Sequence, residues 1–310
     1  MSNPSATHFS SEILYERFKE FIAPDTDRYL MLKSLLDELY LSPQAITISG
    51  NRHLFLSSQG AIANRLRDRS LGGQHSIILV AHYDRVPNSP GANDNGAAVF
   101  ELIEAAVRLR KEKIHRWLII FTDKEELTHG ETIRDQGSYT LAKGLHGAGL
   151  GNSRYYIFDA CGVGDTLIIS TMADHIMKHE EGPGIARTRL HVRQLRTRAL
   201  ETTRHLRLDR VRLIPTPFSD DVGFLRAGIP AQTITMLPAE EAAAFGDLLR
   251  SQPEFADALV CRDAQNKYDC RLIPKTWRLL NGPEDNDLRL TPQYFPLMVR
   301  FICALCKGNG

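Results

Sequence analysis

One histidine and two aspartates lie in the polar loop after an apolar run, in the stretch AHYDRVPNSPGANDN, residues 81–95. His82 and Asp84 are two residues apart, so an extended backbone presents both side chains on one face. One of them can bind a metal ion while the other supports it. Asp94 comes just before a helical pattern that begins near Gly96, where it is either an N-cap or a ligand.

Carboxylates also follow two further apolar runs. RWLIIF is followed by TDKEEL, which contains Glu125 and Glu126, and RYYIF is followed by Asp159. Taken alone, the paired glutamates are more typical of a solvated turn. Carboxylates at three strand ends beside one histidine repel one another unless a cation lies among them, and a divalent metal is the usual solution. One imidazole with several carboxylates favours zinc over Mn, Fe or Co.

Glu125 and Glu126 point in opposite directions if the segment is extended. One can therefore bind the metal while its neighbour faces an attacking water molecule. Metal-assisted hydrolysis requires this division of roles.

The apolar runs that carry these residues alternate with helical patterns. Nine runs are typical of strands: AITIS, HLFLS, AIANRL, SIILVA, RWLIIF, RYYIF, TLIIS, RVRLIP and AQTITM. Helices are predicted for most of Ser11–Leu41 and between SIILVA and RWLIIF. This order predicts an α/β fold, a three-layer sandwich with a central mixed, largely parallel sheet flanked by helices. Ligands bind at the carboxyl ends of the strands in such folds.

Length and composition predict one α/β domain, or one domain with elaborations, over residues 1–310, since the chain is 43% apolar and 24% charged. Thr128–Gly137 and Pro238–Arg271 are expected to be loop or lid insertions. A formal net charge of +1 gives no global field for nucleic acid or membrane. Arg187–Arg212 contains nine arginines and is interpreted as a solvated basic face, with an acidic ligand or partner as the alternative.

The N-terminus has no secretory signal pattern and no apolar run is long enough to span a bilayer, so a cytoplasmic location is expected. The five cysteines do not form the even set of a disulfide framework. The terminal CALC is interpreted as part of a buried helix face and not as a metal pair, because no second cysteine pair has zinc spacing.

Six short motifs are distributed over most of the chain, between residues 81 and 286. They are AHYD (81–84), GANDN (91–95), EE (125–126), FDACGVGD (158–165), FSDDVGFLRAGIPA (218–231) and NGPEDN (281–286). As a set they resemble the zinc-dependent exopeptidases of clan MH, in particular the bacterial leucyl aminopeptidase type and its glutaminyl cyclase relatives. The resemblance implies the fold of those enzymes.

The resemblance also implies a role for each candidate residue. His82 and Asp159 would bind one zinc ion. Asp94 would bridge two zinc ions, and Glu126 would bind the second. Glu125 would be the general base. A non-proline cis peptide bond is implied after Asp94.

Asp84 would be the carboxylate that orients His82 and raises its basicity. It would contact the imidazole and not the metal.

The sequence departs from the family pattern at the second zinc. Asn281 occupies the position of the histidine in the family motif H-T-x-x-D, and Ser219, Asp220 and Asp221 replace a common S-D-H. An amide oxygen binds zinc poorly compared with imidazole. One zinc is therefore expected, and a second depends on a substitute such as Asp220, Asp221 or a residue from an insertion. The remaining candidate histidines are interpreted as surface residues: His129, His146, His175 and His179.

The main hypothesis is a metallo-aminopeptidase that hydrolyses the N-terminal bond of a peptide or small amide through metal-activated water. Nucleic acid and membrane are not expected partners, and the oligomeric state is left open. One alternative is a glutaminyl cyclase-like transferase. The other is a catalytically degenerate binding protein with an incomplete second metal site.

Overall fold

The computed structural model describes residues 11–58, 77–259 and 269–307 of the 310-residue chain. The strands are β1 (Gln44–Ile48), β2 (Asn51–Ser57), β3 (Ile77–His82), β4 (Trp117–Thr122), β5 (Arg154–Phe158), β6 (Thr166–Ser170), β7 (Val211–Ile214) and β8 (Ala231–Leu237). The helices are α1 (Ser11–Ile22), α2 (Arg28–Glu38), α3 (Ala97–Lys111), α4 (Gly137–Gly147), α5 (Met172–Ile176), α6 (Pro183–His205), α7 (Asp220–Arg226), α8 (Ala239–Ser251), α9 (Lys275–Arg278) and α10 (Phe295–Lys307).

The eight strands form one mixed sheet in the order β1-β2-β4-β3-β5-β8-β6-β7. The central pairs β4-β3, β3-β5 and β5-β8 are parallel, as is β6-β7. The pairs β1-β2, β2-β4 and β6-β8 are antiparallel. Every residue of β3, β4 and β8 is buried, as expected for strands covered on both faces.

Helices cover both faces of the sheet, so the expected α/β sandwich is confirmed. The larger core cluster joins one face of the sheet to α1, α2, α3 and α10. A second cluster joins the other face to α4 and α7. A third, around Phe245 and Trp277, packs α8 and α9 beside β6 and the end of β8. Burial of these apolar faces holds the helices against the sheet.

The predicted pattern of strands and helices agrees with the structure wherever it is described. Eight of the nine strand-like runs contain a strand, and AIANRL lies outside the described residues. The helix predicted between SIILVA and RWLIIF is α3, and its expected apolar residues are fully buried: Val99, Leu102, Ile103, Ala106 and Leu109. The CALC segment lies in α10, with Phe301, Ile302 and Leu305 in the core.

The two segments expected to be insertions contain short helices. Residues 128–137 include a 3-10 turn at Ile133–Asp135 and the first residue of α4. Residues 238–271 contain α8 and a 3-10 helix at Pro253–Leu259, while residues 260–268 lie outside the described part. None of the helices in the described ranges is long and apolar enough to cross a bilayer.

Candidate metal centre

The candidate residues meet because three parallel strands end at the same level. His82, the last residue of β3, is in register with Thr122, the last residue of β4. On the other side, Val80 of β3 is in register with Ile157 of β5, so Asp159 follows β5 at the level of His82. The carboxyl edge of the sheet therefore gathers side chains that lie far apart in sequence.

His82 is at the centre of the carboxylates. Its imidazole is 1% exposed, with Nε2 3.1 Å from Asp94 Oδ1 and 3.6 Å from Asp159 Oδ1. Nδ1 lies 3.5 Å from Asp84 Oδ1 on the opposite side of the ring. One ring nitrogen thus faces two potential metal ligands, and the other faces a carboxylate that can orient the ring.

Asp84 also positions the loop after β4. Its two carboxylate oxygens accept hydrogen bonds from the backbone amides of Glu125 and Glu126, at 3.1 and 3.0 Å. Burial opposes ionisation of Asp84, but His82 and these two amides lower its pKa. One side chain therefore links the ends of β3 and β4.

Asp94 lies in an irregular turn directly before α3. The peptide bond between Asp94 and Asn95 is cis, as the resemblance implied. Asp285 fixes this turn, because its carboxylate accepts hydrogen bonds from the amides of Asn93 and Asp94 at 2.8 and 3.0 Å. The Asn95 side chain donates to the carbonyl of Phe158 at 2.8 Å and so connects the turn to the end of β5.

Arg28 of α2 supports the same loop from the opposite side. Its guanidinium group is 5% exposed and donates to four carbonyl oxygens of the loop between His82 and Asp94: Tyr83, Asp84, Pro90 and Gly91. Burial, and then the charge of Arg85, lower the pKa of Arg28 to about 9. This cation thus lies beneath the acidic loop.

Glu125 and Glu126 have different surroundings. Glu125 Oε1 accepts a hydrogen bond from Gln136 Nε2 at 3.0 Å. Glu126 Oε1 is buried and has no hydrogen-bond partner among the described residues. The unpaired oxygen is the one that requires a cation, since a buried carboxylate without a partner is costly.

Two groups of three side chains have the geometry to hold a metal ion in the described part of the chain. They are His82 with Asp94 and Asp159, and His82 with Glu125 and Glu126. Within each group the ligand atoms lie within 4.8 Å of one another. Both groups use the same imidazole, so they overlap and are not two independent sites.

The residues present fit a zinc ion. His82 Nε2, Asp159 Oδ1 and Glu126 Oε1 are buried without a hydrogen-bond partner among the described residues. Imidazole and carboxylate groups together are a donor set that zinc prefers. A divalent cation at this position would complete the coordination of atoms that the protein leaves unpaired.

The pKa values of the carboxylates indicate the same requirement. Burial, and then the charge of Asp159, raise the pKa of Asp94. Burial, and then the charge of Asp94, raise the pKa of Glu126 to about 9. Burial also raises the pKa of Glu125, although the nearby His82 opposes this. A cation among these groups reverses the effect because it favours the ionised form of each.

The acidic cluster opens into a cavity of about 710 Å³. Its described lining combines Asp94, Glu125, Glu126 and Asp159 with apolar surface. The larger apolar residues of the lining are Val86, Leu127, Ile133, Pro217, Phe218, Leu259, Trp277 and Leu280. Its other polar residues are Glu131, Thr132, Gln136, Thr216, Thr233, Thr235 and Asn281. No lysine, arginine or histidine occurs among the described lining residues. The cavity therefore combines negative charge with apolar and uncharged polar surface.

Asn281, which stands in the sequence at the position of the family's histidine, is a lining residue of this cavity. Its φ is +62°. Asp220 and Asp221, considered as substitutes for a missing ligand, belong to neither of the two three-residue groups. Asp220 is bound by Thr122, whose Oγ1 donates to Oδ2 at 2.5 Å. The candidate histidines His129, His146, His175 and His179 are also absent from both groups.

The sequence analysis missed two residues of this site. Gln136 lies in the loop between β4 and α4, and Arg28 lies in the separate helix α2. Nothing in the local sequence of either residue distinguishes it from other polar residues. Asp285 lies within the quoted motif NGPEDN, where its acidic side chain was the available signal.

A family model for peptidase family M28 matches residues 62–267. The chain belongs to peptidase family M28. The kinship with zinc-dependent exopeptidases expected from the motifs is thereby confirmed. No curated protein matches this M28 chain significantly in sequence.

Solved structures of zinc exopeptidases and glutaminyl cyclases share the fold of this M28 chain. A glutaminyl cyclase from Bacteroides thetaiotaomicron bound to N-acetylhistamine is 14% identical with a TM-score of 0.63, covering 99% of this chain and 100% of the other. A leucine aminopeptidase precursor from the same species is 14% identical with a TM-score of 0.61, covering 99% of both chains.

BSAP, a zinc aminopeptidase from Bacillus subtilis, is 18% identical with a TM-score of 0.51. The match covers 82% of this chain and 48% of that protein, so the M28 chain spans about half of its length. At these identities the likeness concerns the fold alone.

Proposed function

We propose that this protein is a metal-dependent aminopeptidase that removes the N-terminal residue of a peptide. The observation that carries the proposal is the acidic cluster around the buried His82, whose four carboxylates line a cavity that also has apolar surface. Membership of family M28 supports hydrolysis of peptides.

The charge of the cavity favours an aminopeptidase over a carboxypeptidase. A peptide N-terminus carries an ammonium group, which carboxylates can bind, whereas a C-terminal carboxylate needs a cationic partner. The described lining contains carboxylates and no lysine, arginine or histidine. An anionic chain end would therefore meet repulsion in this cavity.

Each residue has a proposed role. His82, Asp94 and Asp159 would hold a zinc ion, and Glu126 would be the ligand of a second ion or share the first. A bound zinc ion supplies Lewis-acid chemistry, polarising the scissile carbonyl and making water a better nucleophile near neutral pH.

Glu125 would act as the general base. Its Oε1 accepts from Gln136, which leaves Oε2 to take the proton of the attacking water and deliver it to the leaving amine. Asp84 would hold His82 in orientation through Nδ1, and the same carboxylate would hold the backbone of the glutamate pair.

A glutaminyl cyclase-like transferase is the second candidate. The fold supports it as well as the first candidate, since the Bacteroides glutaminyl cyclase and the leucine aminopeptidase precursor match this chain over nearly the same length. Cyclisation of an N-terminal glutamine needs no activated water, so the two reactions differ in their products.

A panel of substrates tests these candidates. Aminoacyl p-nitroanilides report aminopeptidase activity, and a peptide with N-terminal glutamine reports cyclisation by its loss of ammonia. We expect release of the N-terminal residue, with larger apolar side chains preferred because the cavity lining includes large apolar residues. Cyclisation without hydrolysis favours the transferase, and neither product with zinc bound indicates a binding protein.

We predict that Glu125→Gln lowers kcat for peptide hydrolysis by about 100- to 10,000-fold, the usual contribution of a general base. The amide keeps the shape of the side chain but cannot accept the proton. Zinc content by elemental analysis and the thermal unfolding midpoint should stay near those of the wild type. Wild-type turnover by this variant contradicts the assignment of Glu125.

A further inference from the structure

Gln136 contacts the proposed general base from the loop between β4 and α4. Its side chain is 2% exposed and lies on the cavity wall. Nε2 donates to the carboxylate oxygen Oε1 of Glu125 at 3.0 Å and to the backbone carbonyl of Glu125 at 3.2 Å. One amide group thus binds both the side chain and the backbone of the same residue.

Ser138 fixes which way the Gln136 amide faces. Ser138 Oγ donates to Gln136 Oε1 at 2.8 Å. Because the amide oxygen is occupied there, and because a carboxylate only accepts, the amino group of Gln136 must face Glu125. The hydrogen bonds therefore run in one direction, from Ser138 to Gln136 and from Gln136 to Glu125.

The backbone of α7 packs closely against the side chains of Ser138 and Gln136. A Cβ on Gly223 of α7 would lie 2.1 Å from Ser138 Oγ and 2.7 Å from Gln136 Oε1. The helix therefore approaches both side chains more closely than a residue other than glycine allows. The buried amide has little space for another orientation.

The loop that carries Gln136 is itself held in place. Thr132 and Asp135 form a reciprocal capping pair just before Gln136. Lys124, next to Glu125, pairs with Glu131 at 2.7 Å. The amide of Gly137 donates to the Lys124 carbonyl at 2.8 Å. These contacts anchor both ends of the loop beside the end of β4.

We propose that Gln136 is a positioning residue that holds the Glu125 carboxylate in its reactive orientation. By occupying Oε1 it presents Oε2 to the substrate and fixes the rotamer of the side chain. This inference rests on the proposed function, in which Glu125 is the base. It assigns catalytic importance to a residue of the expected 128–137 insertion, and not only to strand ends.

The test compares Gln136→Leu with the wild type on the best substrate from the panel. Leucine keeps a similar volume but donates no hydrogen bond. We expect kcat to fall about 100-fold, as for a reacting group displaced by about 1 Å, with KM and zinc content nearly unchanged. A crystal structure of the variant should show the Glu125 carboxylate in a different rotamer.

Two further variants test the same proposal if the leucine substitution disturbs the fold. Gln136→Glu is nearly isosteric but places an acceptor against the carboxylate, so it should lower kcat at least as much. Ser138→Ala removes the hydrogen bond that holds the amide oxygen of Gln136, and should lower kcat several-fold. Wild-type kcat in Gln136→Glu would overturn the proposal.

Asp135→Asn is the matched control. It weakens the capping pair of the same loop without touching Glu125, and we expect kcat near that of the wild type. Equal losses in Asp135→Asn and Gln136→Leu would attribute the effect to loop order and overturn the proposal. If Glu125→Gln is inactive while Gln136→Leu is fully active, only this inference fails. If Glu125→Gln keeps turnover, the proposed function fails first.

Discussion

At the residue scale, single side chains in this site serve more than one neighbour. Asp84 was expected only to orient His82, and the structure also bonds it to the amides of Glu125 and Glu126. His82 belongs to both possible metal groups. Each of these side chains therefore holds two parts of the site together.

We predict that Asn281→His raises the zinc content of the purified protein from about one to about two ions per chain, because imidazole is a far better zinc ligand than an amide. Asn281 lines the cavity with Asp94 and Glu126, the two residues that would complete a second site. Elemental analysis after dialysis against trace zinc measures the change.

Asn281→Ala is the control for this prediction, since it removes the amide without adding a ligand. Its zinc content should equal that of the wild type. A wild-type content near two ions, or no increase in the histidine variant, contradicts the idea that Asn281 limits the second site.

At the element scale, the two N-terminal helices lie outside the matched family range and support the loop that joins His82 to Asp94. Arg28 begins α2, lies outside residues 62–267, and binds carbonyls on both sides of the loop that joins His82 to Asp94. Its guanidinium also stacks over the ring of Phe21 in α1, 4.4 Å from the centroid. The two N-terminal helices are therefore connected to the site directly.

We predict that Arg28→Met weakens zinc binding by about 10- to 100-fold, the usual cost of removing an outer support of a metal ligand. The loop would lose the four hydrogen bonds that hold its backbone in place, and we expect this loss to outweigh the removal of a cation that repels zinc. Competition with a chromophoric chelator measures the dissociation constant, and thermal unfolding of the metal-free protein measures the loss of stability separately.

The matched control is Arg110→Met. Arg110 of α3 donates to the carbonyls of Tyr40 and Leu41. It therefore also anchors the N-terminal region, but it makes no hydrogen bond to the loop that joins His82 to Asp94. It should lower the unfolding midpoint while leaving zinc affinity unchanged. Equal zinc affinities for the two variants would show that Arg28 only stabilises the fold.

At the scale of the whole molecule, a buried acidic side chain in the core that the proposed site does not use affects stability. Glu101 of α3 is 1% exposed, and neither carboxylate oxygen has a hydrogen-bond partner among the described residues. Burial, and then the charge of Glu104, raise the pKa of Glu101 well above the ordinary value of 4.5. The folded state therefore holds a proton that the unfolded chain releases near pH 4.5.

This difference makes stability depend on pH in a defined direction. Between the unfolded and the folded pKa the folded state binds more protons, so the free energy of unfolding falls as pH rises above 4.5. We predict that Glu101→Gln removes this loss and is more stable than the wild type at neutral pH. The difference should grow by at most about 1.4 kcal/mol per pH unit.

Urea unfolding at a series of pH values measures the effect. Glu112→Gln is the control, since it removes an exposed carboxylate that is paired with Lys307 at the end of the same helix. A stability difference between Glu101→Gln and the wild type that does not change with pH contradicts the prediction.

The sequence by itself determined the strands, their order with the helices, and which candidate ligands lie at one edge of the sheet. Continuous apolar runs predicted the buried strands, and polar side chains directly after those runs predicted His82, Glu126 and Asp159 at one edge. These features are local, since the period of a strand or helix and the residue that ends it are readable within about ten positions.

Only the tertiary structure decided the contacts made across the sheet and between loops. Gln136 binds Glu125, Arg28 binds the loop after His82, and Asp285 binds the turn at Asp94. Each contact depends on how separate elements pack, and no local periodicity encodes it. The physical reason is that a hydrogen bond between distant residues requires the folded backbone to bring them within about 3 Å.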